Sequence, residues 1–292
     1  DAIVTISKVT DDIVSKVAPS VYRKYIPHAV DPSVFRRIES DEESFNNCKI
    51  VRERVFNCSY DESKDKLLFF WNNRNARRKQ SGTLIWWFKN YLDKVGHDKA
   101  SLLMHTDPKD PNGQDLSHLI EHLGLSNGQV MISNQKISPN DLAAMYNAAD
   151  CTINISDAEG FGLATLESLS CETPIIVCMT GGLQEQVTDG EGWFGIGIEP
   201  SSKAVIGSQQ VPYIYEDRLS EEDFTNALVE FTNLTTEQRQ EFGAKGREHV
   251  RKNYSFDKFQ QSWIETIADI VDKNGSWETR KNHERWRLLE VA

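Results

Sequence analysis

Residues 151–178 read CTINISDAEGFGLATLESLSCETPIIVC. Two apolar runs, 151–156 and 174–178, flank a stretch with helical spacing over 161–171. Continuous apolar strands on either side of a helix predict a parallel sheet covered on both faces. Between the first strand and the helix, Asp157, Ala158 and Glu159 fill a loop, and Gly160-Phe161-Gly162 turn the chain. Glycines at such a turn let a backbone approach a ligand closely, and the free N–H groups of a helix start suit a phosphate. Glu159 precedes the helix, while Glu167 follows Leu163 by four residues on the same face. The two carboxylates are expected to flank the anion site, one toward each end of a ligand. The plain alternative is a strand-to-helix turn with incidental acids, and a lone GFG does not exceed it.

The same alternation extends outward. Strands are predicted at 67–72, 101–106, 129–133 and 193–198, and helices at 81–95, 115–124, 139–149 and 181–188. Ser138 followed by Pro139 is a cap residue with proline at the first helical position. The fold class is therefore α/β, a doubly wound parallel (Rossmann-like) sheet, which binds ligands beyond the carboxyl ends of its strands. After Pro200 the pattern changes. Residues 201–219 read as an irregular excursion, followed by helices at 220–233, 235–252 and 255–272 and one more in the mixed-charge tail, 277–292. At the front, 2–7 reads as a strand and 10–16 as a helix. The highly charged stretch 36–65 reads as an exposed linker or excursion.

Composition narrows the function classes. Of 292 residues, 39% are hydrophobic, and 33 basic against 44 acidic side chains leave a net charge of −11. This excludes a disordered or fibrous protein and argues against nucleic acid or an anionic membrane as the main partner. No apolar run approaches a membrane span, so any membrane association is expected to be peripheral. The five cysteines are odd in number and lack CxxC spacing, and Cys151 and Cys178 sit inside apolar strands. Buried thiols and a cytoplasmic location are the expectation. The chain opens at Asp1 rather than Met, and a fragment whose beginning lies elsewhere is expected.

Two further loops should face the crevice. After the first strand, Asn73-Arg74-Asn75-Ala76-Arg77-Arg78-Lys79 gathers four cations. A charge run is ordinarily a solvated loop, but cations opposite a helix N-terminus make a two-sided clamp for a diphosphate. Thr180-Gly181-Gly182-Leu183-Gln184-Glu185 is a second glycine turn into a helix. No DxD triplet occurs, and His118 and His122 read as a surface pair, so no metal site is expected.

Taken in order, these segments resemble a known family. EGFGLATLE places Glu159 and Glu167 in an E-x7-E arrangement. The continuation, LESLSCETPIIVCMTGGLQEQVTDGEGW, is similar to the nucleotide-sugar domain of the retaining GT-B glycosyltransferases of family 4 (glycosyl transferases group 1). Arg74 and Lys79 stand at R-x4-K, as in that family's phosphate-binding loop. IPHAVDPSVF (26–35) is similar to the segment where its chains cross between domains, and AIVTIS (2–7) to the last strand of its first domain. The resemblance runs from about residue 2 to 272. It implies a remnant of the acceptor domain and crossover in 1–35, the charged linker in 36–65, the nucleotide-sugar-binding domain in 66–272, and in 273–292 a helix that packs on the missing first domain.

The resemblance implies transfer of a sugar from a nucleoside-diphosphate sugar, UDP- or GDP-sugar favoured, to a hydroxyl of an acceptor glycan, lipid or protein. Anomeric configuration is retained, and neither metal nor cofactor is needed. Arg74 and Lys79, helped by the amides of Phe161, Gly162 and Leu163, stabilise the leaving diphosphate. Glu159 holds the donor sugar, Glu167 the ribose hydroxyls, and the loop near Ile137 the base, while Gly160, Gly181 and Gly182 line the site. Three departures stand out: Asn73 where a glycine usually precedes the arginine, Glu172 where glycine is common, and the length of 201–219. That excursion resembles those of virus-encoded or marine members, which for a viral protein implies the host cytoplasm. Two alternatives stay open: a nucleotide-sugar-binding half-protein without transfer activity of its own, and a GT-B sugar phosphorylase or epimerase. An ordinary dinucleotide-binding domain wants GxGxxG after the first strand, where NNRNARRK stands.

Overall fold

A computed structural model describes residues 2–281. The chain begins with β1 (Ala2–Thr5), α1 (Lys8–Val17) and β2 (Tyr22–Tyr25), whose strands pair in parallel as a small sheet of their own. Next come α2 (Phe45–Phe56) and α3 (Tyr60–Ser63). The main alternation is β3 (Leu67–Asn72), α4 (Ser81–Val95), β4 (Ala100–His105), α5 (Leu116–His122), β5 (Val130–Ser133), α6 (Pro139–Ala148), β6 (Cys151–Asn154), α7 (Leu163–Ser170), β7 (Ile175–Cys178), α8 (Gln184–Val187) and β8 (Gly195–Ile198). An antiparallel ribbon of β9 (Ser202–Val205) and β10 (Tyr215–Arg218) follows, then α9 (Glu221–Asn233), α10 (Thr236–Asn253) and α11 (Phe256–Asn274).

The main sheet has the order β5-β4-β3-β6-β7-β8, and all its pairings are parallel. This is the doubly wound, Rossmann-like α/β fold expected from the strand–helix alternation. Alternation along β3 explains how the sheet is covered. Phe69 and Trp71 enter one core with Leu84, Phe88 and Phe224, while Leu68 and Phe70 enter the other with Val55, Ala144 and Tyr146. A period of two sends successive side chains to opposite faces, so a strand buried on both sides is apolar throughout. Burying each such side chain contributes roughly 1.5–3 kcal/mol. A third cluster, with Leu166, Leu169, Val177, Phe194 and Val250, seats α7 and α10 against β7, and α11 completes the C-terminal helical extension.

The chain reverses its winding between β3 and β6, which are adjacent. The loops after those two strands therefore emerge side by side, the position where such folds bind ligands.

Three expectations need correction. The stretch 36–65 is not an exposed linker: α2 buries Cys48, Arg52 and Val55 against the sheet and α6. Its charge is misleading because Arg52 is an anchor, not a solvated group. Its guanidinium donates to the carbonyls of Ala148 (2.9 Å), Ser63 (2.7 Å) and Lys66 (2.6 Å) and to Asp150 (2.9 Å). The excursion 201–219 is not irregular, since β9 and β10 pair in it. Residues 277–281 are turn and bend rather than helix, and the remainder of the predicted tail helix lies outside the described residues. Cys151 and Cys178 are buried free thiols, as their apolar strands predict.

Candidate functional site

The loops after β3 and β6 are joined by a backbone bond, from the Asp157 N–H to the Arg78 carbonyl at 2.8 Å. Lys79 ends a 3-10 turn over Arg77–Lys79 and reaches across to Glu159, with which it forms a short ion pair. Lys79 is buried and Glu159 is largely shielded. Burial pushes the Lys79 ammonium below its usual range, and Glu159 opposes that shift. Arg78 donates to the Ala158 carbonyl at 2.6 Å, and its guanidinium lies 3.8 Å from the Glu159 carboxylate. Two cations and one carboxylate, separated by about 80 residues of chain, thus converge at the switch point.

The glycine turns set this geometry. Gly162 caps α7 at φ +95°, a left-handed backbone that favours glycine. Gly181 is held at φ +50°, and a Cβ there would lie 1.7 Å from the Glu159 carbonyl oxygen. Gly182 donates its N–H to that same carbonyl at 3.1 Å. The second glycine turn therefore clamps the backbone of Glu159 from the other side. Gly160 needs no such allowance, since its added Cβ would meet only Ile6, at 3.9 Å. Phe161 is buried, with its ring edge-on to His28 at 5.1 Å, whereas Leu163 is exposed.

Glu167 lies one helical turn into α7 and accepts a hydrogen bond from the Tyr146 hydroxyl at 2.8 Å. Tyr146 in turn accepts from the Asn72 amide at 2.9 Å. Burial pushes the Glu167 carboxyl up to about 7, with the Tyr146 bond opposing it. Ile137, in the loop after β5, lines a cavity of about 330 Å³ with Leu103, Met131, Ser133, Asn134 and Met145.

Arg74 is placed differently from the expectation. Its guanidinium is exposed and paired with Asp110 of the loop after β4, at 2.6 and 3.2 Å, which holds the Asp110 carboxyl well below the usual range. The structure thus brings Lys79 and Glu159 together with the glycine turns, but not Arg74. Sequence reading passed over Arg78 as an individual contact, and also Tyr146 and Asn72. Arg78 was visible as part of the charge run, whereas nothing in a buried tyrosine marks it as a partner of Glu167. Among the described residues, no group of three or more His, Cys, Asp or Glu is arranged to hold a metal ion, and no helix is long and apolar enough to cross a membrane.

A family model described as Glycosyl transferases group 1 matches residues 59–249. The chain belongs to this family. The match covers α3 to most of α10, the segment that carries the two joined loops and both glycine turns. Among curated relatives, the D-inositol 3-phosphate glycosyltransferase of Paenarthrobacter aurescens (strain TC1) is 32% identical over 110 residues, 37% of this chain and 26% of its own. The chain thus spans about a quarter of that relative's length. Among solved structures, sucrose-phosphate synthase from Thermosynechococcus elongatus superposes with a TM-score of 0.70 at 20% identity, over 94% of this chain and 59% of that one. A structure of Anabaena Alr3699/HepE in complex with UDP and glucose gives 0.68 at 14% identity, over 92% and 63%. At these identities the superpositions establish the fold: a Rossmann-like domain matching one half of a GT-B protein.

Proposed function

We propose that the chain holds the donor site of a glycosyltransferase that moves a sugar from a nucleoside-diphosphate sugar to an acceptor hydroxyl with retention at the anomeric carbon. In this reaction the bond from the anomeric carbon to the diphosphate oxygen breaks, and the oxygen leaves with the electron pair. A bond from the acceptor oxygen to the anomeric carbon forms as that hydroxyl passes its proton to the departing diphosphate oxygen. Stabilising the departing oxyanion is the main electrostatic task. The observation that carries the reading is the convergence of Lys79 and Arg78 on Glu159 beside the start of α7, at the switch point of a group 1 domain.

In this reading Lys79 meets the diphosphate together with the amides of Phe161, Gly162 and Leu163, and Arg74 joins them by leaving Asp110. Glu159 then turns from Lys79 to the hydroxyls of the donor sugar. Glu167 takes the ribose hydroxyls, and the loop at Ile137 takes the base. Gly160, Gly181 and Gly182 keep the backbone close to the ligand. The UDP in the HepE complex favours a UDP-sugar, with a GDP-sugar as the other candidate. The domain of residues 66–272 carries the donor, and the acceptor, a glycan, lipid or protein, belongs to a further domain of the kind the longer relatives contain. No support for a viral or marine source comes from the relatives.

One observation favours a second reading, in which the chain alone binds donor without transferring it. Ile13 and Val17 on α1, and Ile264, Ile267 and Val271 on α11, are exposed apolar positions that a further domain would cover. The test is to supply the chain with UDP-glucose or GDP-mannose and candidate acceptors, with and without a chelator, and to assign the product anomer by nuclear magnetic resonance. Retained configuration supports the proposal. Inversion overturns its stereochemistry, and activity that needs a divalent ion shows that the cations named here do not suffice.

A further inference from the structure

The β9–β10 ribbon stands outside the strand–helix alternation, yet its base reaches the switch point. Strand period puts Glu216 and Arg218 on one face of β10, with Arg218 donating to Glu216 at 3.0 Å. Glu216 is buried and accepts a two-pronged pair from Arg77 of the loop after β3, at 2.7 and 2.9 Å. Arg218 contacts the buried carboxylate of Asp157, in the loop after β6, at 2.9 Å. The Asp217 N–H donates to the Asp157 carbonyl at 2.9 Å, so β10 also binds that loop by its backbone. The ring closes through Gln80, whose amide donates to Asp157 at 2.6 Å from the position beside Lys79.

These contacts join the two loops that present Lys79 and Glu159, without touching either side chain. A fork-shaped guanidinium bound by two oxygens fixes orientation as well as distance. Arg77 is one of the cations in the R-x4-K loop, but its guanidinium faces the ribbon and not Glu159. Its neighbours Arg78 and Lys79 are thereby aimed at the Asp157–Glu159 loop.

We propose that the ribbon is a strap holding the two loops of the donor site in register, and that Glu216, with Arg218, is its positioning residue. The inference rests on the reading of Lys79 and Glu159 as donor contacts, and its test separates the two. In the full chain, Glu216→Gln is compared with wild type by amide hydrogen exchange over residues 74–80 and 157–161 and by calorimetric affinity for UDP and GDP. Faster exchange confined to both loops, with diphosphate affinity down about tenfold, is the expected result. Unchanged exchange in both loops overturns the strap, whatever the affinity does. If wild type binds neither diphosphate, exchange alone decides: a local response keeps the strap while the donor reading falls. Should Glu216→Gln loosen the whole domain, Arg77→Gln decides, since it breaks the same pair from an exposed side chain on the loop side. Faster exchange confined to both loops supports the strap, and unchanged exchange in both overturns it.

Discussion

The Tyr146 hydroxyl donates to the Glu167 carboxylate at 2.8 Å, tying α6 to the first turns of α7 within a buried setting that holds the carboxyl up to about 7. This places the titration of a proposed ribose ligand near neutrality. Ribose hydroxyls donate to the ionised form more strongly than to the neutral one. Diphosphate affinity is therefore expected to rise between about pH 6 and about pH 8, and Glu167→Gln to flatten the profile. Tyr146→Phe removes a bond that lowers the Glu167 pKa, so the midpoint should move upward. Calorimetry across pH checks both.

The same group has a consequence for stability. Its folded-state pKa lies above the ordinary carboxyl value, so the unfolded chain loses the proton first as pH rises. The Glu167 contribution should weaken from about pH 4.5 to about pH 7 and stay weakened above. In Glu167→Gln that part of the slope should vanish, leaving the variant more stable than wild type by about 1 kcal/mol near pH 8. Denaturant titrations at several pH values measure the difference. A variant with the wild-type slope would remove Glu167 as its source.

Arg52 should be among the costliest side chains to remove. It is buried and donates to three carbonyls and one carboxylate that bind α2 to the ends of β3 and β6. Arg52→Met takes this donor from the Ala148 and Lys66 carbonyls, leaves Ser63 and Asp150 with the Lys66 and Leu68 N–H groups, and is expected to lose about 3–5 kcal/mol, read from chemical denaturation.

Glu172 holds a left-handed backbone, φ +62°, where an L side chain is strained, and its carboxylate pairs with Arg247 at 2.7 Å. The strain outweighs a half-exposed pair, which contributes at most about 1 kcal/mol. Glu172→Gly is expected to raise stability by roughly 0.5–1 kcal/mol, with a matching rise in Tm.

Arg74 is held by Asp110, whose carboxylate pairs with its guanidinium. Asp110→Asn weakens that hold and should raise diphosphate affinity a few-fold. Arg74→Ala should lower diphosphate affinity about tenfold while leaving nucleoside affinity unchanged. Equal losses for diphosphate and nucleoside would remove Arg74 from the phosphate site.

The strand–helix order was legible because β3, β6 and β7 are apolar on both faces, and because Gly162 marks the start of α7. The glycine pair at 181–182 was legible too, although its reason was not: the backbone of Glu159 fills the space a Cβ would take. Helix α2 was misread since charge counts treat Arg52 as solvated, while Cys48, Val51 and Val55 mark the buried face around it. The partnership of Lys79 with Glu159 follows from strand order, which no local pattern discloses. Likewise Glu216 and Arg218 look like ordinary ribbon charges until the fold sets them against Arg77 and Asp157.

The central claim is that Lys79 and Glu159 mark a nucleoside-diphosphate site, and calorimetric titration of the chain with UDP, GDP and ADP tests it most directly. Wild type should bind one diphosphate saturably. Lys79→Met should bind it at least about tenfold more weakly, with affinity for the matching nucleoside unchanged. Equal diphosphate affinity in wild type and Lys79→Met, or saturable binding of none of the three by wild type, would contradict the account.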